Sequence, residues 1–144
     1  MKRTPLRRKT PLRRTRRKKS LRHRLWPEFS KLVRARDTVC LMSYSHGQAM
    51  GFGACGGSLQ ASHIYPKGAW PLLMLYPLNV IALCYRHHFH VWHASPGEAW
   101  TWVRKALPAP WRDQLEAMRV VSLSRKGMDE AAIRAEWARC GLDR

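Results

Sequence analysis

Acidic residues are scarce in this 144-residue chain: nine Asp and Glu stand against twenty-seven Lys and Arg, and no acid precedes Glu28. The formal net charge of +18 makes a polyanion the expected partner. Nucleic acid comes first and an anionic membrane surface second, but the basic N-terminal stretch has too few large apolar residues for an amphipathic anchor. No run of eighteen apolar residues is present, so no segment reads as a membrane-spanning helix. The basic N-terminus also lacks the apolar centre of a signal peptide, and a cytoplasmic protein is expected. Cysteine is limited to four residues at uneven spacing, mixed with histidines. In a reducing compartment that pattern favours metal binding over a disulfide framework. The length suits one small catalytic unit, or a smaller core with extensions.

What is present is concentrated in Leu59–His93, which holds five of the seven histidines and one of the four cysteines. Leu59–Ile64 reads as a short strand ending in His-Ile, broken by Tyr65-Pro66-Lys67-Gly68. Val80–Leu83 is a second apolar run, and Cys84–His93 opens a helix. Two strands and a helix delivering histidines to one point match the needs of phosphodiester hydrolysis. Such a site requires a base for water, a cation on the phosphate and a group that positions the base. His63 suits the first role near neutral pH. A divalent cation held by the later histidines suits the second, and Asn79, through its amide, the third.

Around this centre the chain reads as an arm and helices. Residues 1–24 hold thirteen of the basic residues and the repeat Arg3-Thr-Pro-Leu-Arg-Arg8, Lys9-Thr-Pro-Leu-Arg-Arg14. Pro5, Pro11 and like-charge repulsion predict a disordered arm that binds nucleic acid electrostatically. Its Arg3, Arg7, Arg8, Lys9, Arg13, Arg14, Arg16, Arg17, Lys18 and Lys19, with Lys67 of the central loop, are the expected DNA contacts. Trp26–Asp37 is a predicted helix with Pro27 in its first turn and Phe29, Leu32 and Val33 as its apolar stripe. Ser95-Pro96-Gly97-Glu98 reads as a capping box for a helix through Leu107. Trp111–Val121 and Met128–Cys140 follow as helices, their tryptophans read as core. The domain expectation is a 1–24 arm, a 25–107 core and a 108–144 helical extension.

Cys40, Cys55, Cys84 and His87 compose a three-thiolate, one-imidazole set suited to a closed structural zinc site. Cys55-Gly56-Gly57 is like a zinc-knuckle turn, although fourteen residues separate Cys40 from Cys55. The plain alternative is that these cysteines are small buried apolar residues. His46 reads as a loop histidine rather than a ligand, and His90 as surface or phosphate-facing.

Ala61-Ser62-His63-Ile64, Asn79 and Leu83-Cys84-Tyr85-Arg86-His87-His88 together resemble the HNH, or His-Me finger, endonucleases. The resemblance implies an α+β fold with a small ββα-metal core, zinc-stapled and flanked by helices. It implies His63 as general base, Asn79 as positioning residue and His88 as catalytic metal ligand. Ser62 stands where many members carry an Asp or His ligand, so the metal would lean on His88, His93 and Ser62, with Asn79, phosphate and water, a set read as Mg²⁺ or Mn²⁺. His87 stands where the family often has the second cysteine of Cys-x-x-Cys-His. The arm and the layout of residues 1–93 further resemble phage recombination nucleases of the NinG/Rap type. That implies a metal-dependent DNA endonuclease acting on branched or four-way-junction DNA in the host cytoplasm, with a homodimer implied if junctions are resolved. The rival reading is a non-catalytic zinc-stabilised DNA-binding recombination accessory protein, and RNA is a lesser alternative substrate.

The arm yields a first prediction. Each phosphate contact that it makes should steepen the dependence of log affinity on log salt by about 0.9 for duplex DNA. Deleting it is expected to flatten that slope by several such steps, equally on linear duplex and four-way junction. A loss confined to the junction would mean that the arm reads branch geometry.

Overall fold

The computed structural model describes residues 19–44, 50–123 and 127–142. Most of the basic arm, Arg3 to Lys18, and His46 lie outside the described residues. Within them the chain is mixed α and β. Helix α1 (Leu21–Asp37) and the short α2 (Leu41–Tyr44) precede an antiparallel hairpin of β1 (Leu59–His63) and β2 (Val80–Cys84). A π-helical turn (His87–Trp92) follows, then helices α3 (Pro96–Ala106), α4 (Ala109–Ser122) and α5 (Glu130–Arg139). None of the helices is long and apolar enough to cross a membrane.

Several boundaries differ from the sequence reading. Helix α1 starts at Leu21, not Trp26, so residues 21–24 belong to the fold rather than to the arm. Leu21 and Leu25 continue the apolar stripe of Phe29 and Val33 at four-residue spacing, and that burial carries the helix back through Pro27. Pro27 therefore lies inside the helix instead of in its first turn. The capping box at Ser95 does not form: its side chain makes no cap bond, and Ala99 N–H reaches the Ser95 carbonyl instead. Helix α5 is capped by Asp129, whose carboxylate accepts from Ala132 N–H at 2.8 Å.

The hairpin pairs Leu59 with Cys84 through to His63 with Val80. Because side chains alternate along a strand, its two faces enter two cores. Ala61 and Val80 meet Leu25, Phe29 and Val33 of α1 and Ile133 and Trp137 of α5. Ile81 and Leu83 meet Val91, Trp92 and the Trp102, Val103 pair of α3, with Leu115 of α4 behind. The C-terminal helices thus share the same buried clusters as the hairpin.

The segment between the strands, Pro71 to Asn79, is tight 3₁₀ turns and is largely buried. A buried turn must place its carbonyls somewhere. Trp137 Nε1 donates to Leu75 O (3.0 Å), Trp111 Nε1 to Leu78 O (2.7 Å), and Arg36 to both Pro77 O (2.9 Å) and Val80 O (2.8 Å). Arg36 also pairs with Asp37 at 2.6 Å, and the Asp37 carboxylate accepts Ala82 N–H at 2.7 Å on β2. Arg36→Met would strand two carbonyls and a buried carboxylate. We expect a loss of about 3 kcal/mol in urea unfolding, against about 0.5 kcal/mol or less for Arg104→Met on the exposed face of α3.

Candidate functional site

Two sites grow from the two ends of β2. The first is the predicted cysteine set. Cys40, Cys55, Cys84 and His87 converge, every pair of their ligand atoms lying within 4.8 Å. The chain brings Cys40 in through a left-handed residue, Thr38 (φ 56°), which turns it away from the end of α1. Cys84 ends β2, and His87 enters one helical turn later. The three sulfurs lie 3.3, 3.6 and 3.4 Å from one atom, His87 Nδ1. One nitrogen carries at most one proton and cannot hydrogen-bond three sulfurs. A tetrahedral zinc with bonds of about 2.3 Å to S and 2.0–2.1 Å to N separates S from N by about 3.6 Å. The other ring nitrogen, Nε2, lies 3.2 Å from Gly53 O. A carbonyl only accepts, so Nε2 carries the proton and leaves the Nδ1 lone pair to the sulfurs.

Backbone N–H groups finish this set. Gly56 N–H and His87 N–H both point at Cys84 Sγ at 3.4 Å. The knuckle turn predicted at Cys55-Gly56-Gly57 thus serves the sulfur of Cys84. Gly57 is required there: its φ is +76°, and a Cβ would lie 2.7 Å from Tyr85 Cβ. Burial pushes the Cys40 thiol up to about 12. Cys84 is buried too, yet the N–H groups of His87 and Gly56 bring it below the usual thiol range. The arrangement is a Cys3His cluster that could hold a metal such as zinc.

The second site lies beside the start of β2 and draws on the other histidines. His63 ends β1, with Nε2 3.0 Å from Met74 O, so Nε2–H donates and Nδ1 remains the basic atom. Its ring stacks on Trp26 of α1, centroids 4.7 Å apart and planes 18° apart. Its carbonyl is held by Trp92 Nε1 at 2.9 Å. Burial, the largest influence, lowers the His63 pKa; the Met74 carbonyl opposes it and Lys67 adds to it. The imidazole is therefore neutral at pH 7.

His88 and His93 meet with Nε2 atoms 3.0 Å apart. In an α-helix residues five apart stand about 140° apart around the axis. Here His93 N–H bonds to His88 O, five residues back, and the wider π turn brings the two rings to 4.7 Å between centroids, tilted by 43°. His88 Nδ1 lies 2.9 Å from Gln60 Oε1, so Nδ1–H donates and Nε2 carries the lone pair. Burial, then His93 and His63, push His88 down to about 4, which also keeps it neutral. Two nitrogens each about 2.1 Å from one cation and at right angles would be about 3.0 Å apart. The same 3.0 Å is also the length of a hydrogen bond from His93 Nε2–H to the lone pair of His88 Nε2. His63, His88 and His93 line one cavity of about 480 Å³, together with exposed Lys67.

The other candidate residues lie elsewhere. Asn79 is fully buried, and its amide is used up inside the fold. Oδ1 accepts Tyr65 N–H at 2.7 Å, while Nδ2 donates to Tyr65 O at 3.1 Å and Leu73 O at 3.0 Å. It ties Tyr65, two residues after His63, to Leu73, next to Met74, and with its amide so engaged cannot double as the metal donor the sequence suggested. Ser62, read as a weak ligand, is 1 % exposed, does not line the cavity and has no hydrogen-bond partner for its hydroxyl among the described residues. Strand alternation turns it away from the side that His63 occupies. His90 is exposed, edge-on to Tyr85. Sequence reasoning missed Gln60, Trp26 and the Met74 carbonyl. None of the three carried a sequence signal: strand alternation puts Gln60 on the face opposite His63, and only the fold shows its amide at His88.

The cluster predicts one tightly held zinc per chain, lost in Cys84→Ser, with chelation unfolding the core rather than only silencing the protein. Metal analysis of the purified protein and far-UV dichroism before and after chelation check this. A well-folded protein without zinc would overturn it. No family model, curated protein or solved structure matches this chain.

Proposed function

We propose that this protein is a metal-dependent DNA endonuclease of the HNH type, with His63 as the general base. The observation that carries the proposal is the cavity itself. It combines a neutral histidine whose Nδ1 is free to accept a proton with a pair of imidazoles whose Nε2 atoms converge at 3.0 Å. The order of strand, buried turn, strand and histidine helix agrees with a ββα-metal core.

In this reading His63 Nδ1 takes a proton from the attacking water while Met74 O holds the tautomer and Trp26 holds the ring. Asn79 keeps the two loop segments that support the base in place. His88 and His93 would hold the divalent cation, which supplies Lewis acidity to the scissile phosphate. Lys67, exposed at the rim, adds positive charge toward the DNA backbone. The expectation of Mg²⁺ or Mn²⁺ counted Ser62 and Asn79 as oxygen donors. With both outside the cavity, an all-imidazole pair favours Zn²⁺ or Ni²⁺ over Mg²⁺. The +18 charge supports a nucleic-acid substrate. Branched DNA and a phage recombination setting rest on the NinG/Rap-type resemblance alone.

His63→Ala is expected to lower cleavage of supercoiled plasmid and four-way junction by about 10²–10⁴-fold with DNA affinity unchanged. Assays of the zinc-loaded protein with Mg²⁺, Mn²⁺, further Zn²⁺ or no added metal separate the metals. A base must be neutral, so activity is present above its pKa and lost as pH falls through it. Because the His63 pKa is lowered, wild-type cleavage should hold at pH 6.5 and fall only below the ordinary histidine value of about 6.5. Cleavage that survives His63→Ala would remove the proposal, and DNA binding with no cleavage under any metal would favour the accessory-protein reading.

A further inference from the structure

A phosphate backbone held at a single cation needs only a polar groove, yet this cavity is mostly apolar. Besides its three histidines and Lys67, its walls include Trp26, Trp92, Trp100, Ile64, Ala99 and Val103. Its volume of about 480 Å³ falls within the range of about 300–1,000 Å³ that holds small organic ligands. Among the described residues no acidic side chain lines it, and its Lys67 favours an anion carrying an apolar group. Trp26 and Trp100 are only half-buried, one braced by His63 at 4.7 Å and the other by Tyr65 at 5.0 Å between ring centroids. Trp92 is buried behind them against Trp102. The lining thus offers aromatic rings to a flat, weakly polar group, with cationic and metal-binding groups in the same wall.

From this we infer that the cavity takes one unpaired nucleobase turned out of the strand, beside the phosphate held near His88 and His93. The inference rests on the endonuclease reading and narrows its substrate to DNA with an extrahelical nucleotide. The chemistry favours such a substrate for a physical reason. Stacking a base on aromatic side chains is sequence-tolerant, and turning a base out costs least when it has no partner to lose. Fully paired duplex must break a pair first, so the cavity discriminates structure rather than sequence. Bulges, mismatches and branch points are the DNA that supplies such bases.

The test uses the full chain and a short duplex carrying a single bulged 2-aminopurine, against the same duplex fully paired. Affinity is read by anisotropy with zinc at one equivalent and no chelator, on duplex confirmed uncut by gel electrophoresis, and insertion of the base by 2-aminopurine fluorescence. We expect wild type to bind the bulged duplex at least about tenfold more tightly, with a fluorescence change confined to it. Trp100→Ala should bring the bulged-duplex affinity down to the paired value and abolish the fluorescence change, while Trp100→Phe keeps both. Equal wild-type affinity for the two duplexes, or no fluorescence change, overturns the inference, and that comparison needs no variant to fold. Metal-dependent cleavage of the paired duplex is scored separately. Cleavage without bulge preference removes this inference and leaves the nuclease reading. Bulge preference without cleavage under any metal keeps the base cavity and removes the nuclease reading.

Discussion

The fold hangs on a buried turn whose carbonyls are satisfied from outside it. Between Leu73 and Val80 every backbone carbonyl has a named donor. Leu73 takes Tyr76 N–H and the Asn79 amide, Met74 the His63 ring, Leu75 Trp137 and Tyr76 Asn79 N–H. Pro77 and Val80 take Arg36, Leu78 Trp111, and Asn79 Ile64 N–H. Loops normally run over the surface because buried carbonyls are costly. This one is inside because α1, α4 and α5 each send a long polar side chain to it. The same donors dock those helices on the hairpin, so satisfying the turn and assembling the tertiary structure are one event.

That arrangement also sets up the candidate base. His63 is one of the donors: its Nε2–H is spent on Met74 O, which determines that Nδ1 is the atom left basic. Asn79, clamped to both flanks, holds the distance between them. A residue that reads as catalytic by its type therefore acts through hydrogen bonds to backbone. Its complete burial would be expensive without all three of its amide bonds.

The two histidine-bearing sites share the turn after β2 but use different ring atoms. His87 offers Nδ1 to the sulfurs because Gly53 O takes its Nε2–H. His88 offers Nε2 because Gln60 takes its Nδ1–H. Adjacent residues thus serve different sites, His87 the Cys3His cluster and His88 the open cavity. A single second-sphere acceptor on each ring separates a structural metal set from a candidate catalytic one.

How much of this was legible beforehand divides along a physical line. Residue type and local spacing determined the strands at 59–63 and 80–84, the three C-terminal helices, the Cys3His set and the pool of histidines. Chemistry-bearing residues are few and the alternation of a short hairpin is local, so both can be read without the fold. The start of α1 was not legible, because Pro27 argues locally for an N-terminus while Leu21 and Leu25 gain their burial only against α5 and β2. Nor was the exclusion of Ser62 and Asn79 from the cavity, since the direction of a side chain depends on strand face and on which carbonyls need a donor. His88 and His93 were paired by residue type as ligands of one cation, but the geometry that lets their rings meet comes from the π turn. Five-residue spacing separates side chains in an α-helix and joins them in a π turn, and only packing against the hairpin and α3 selects between the two.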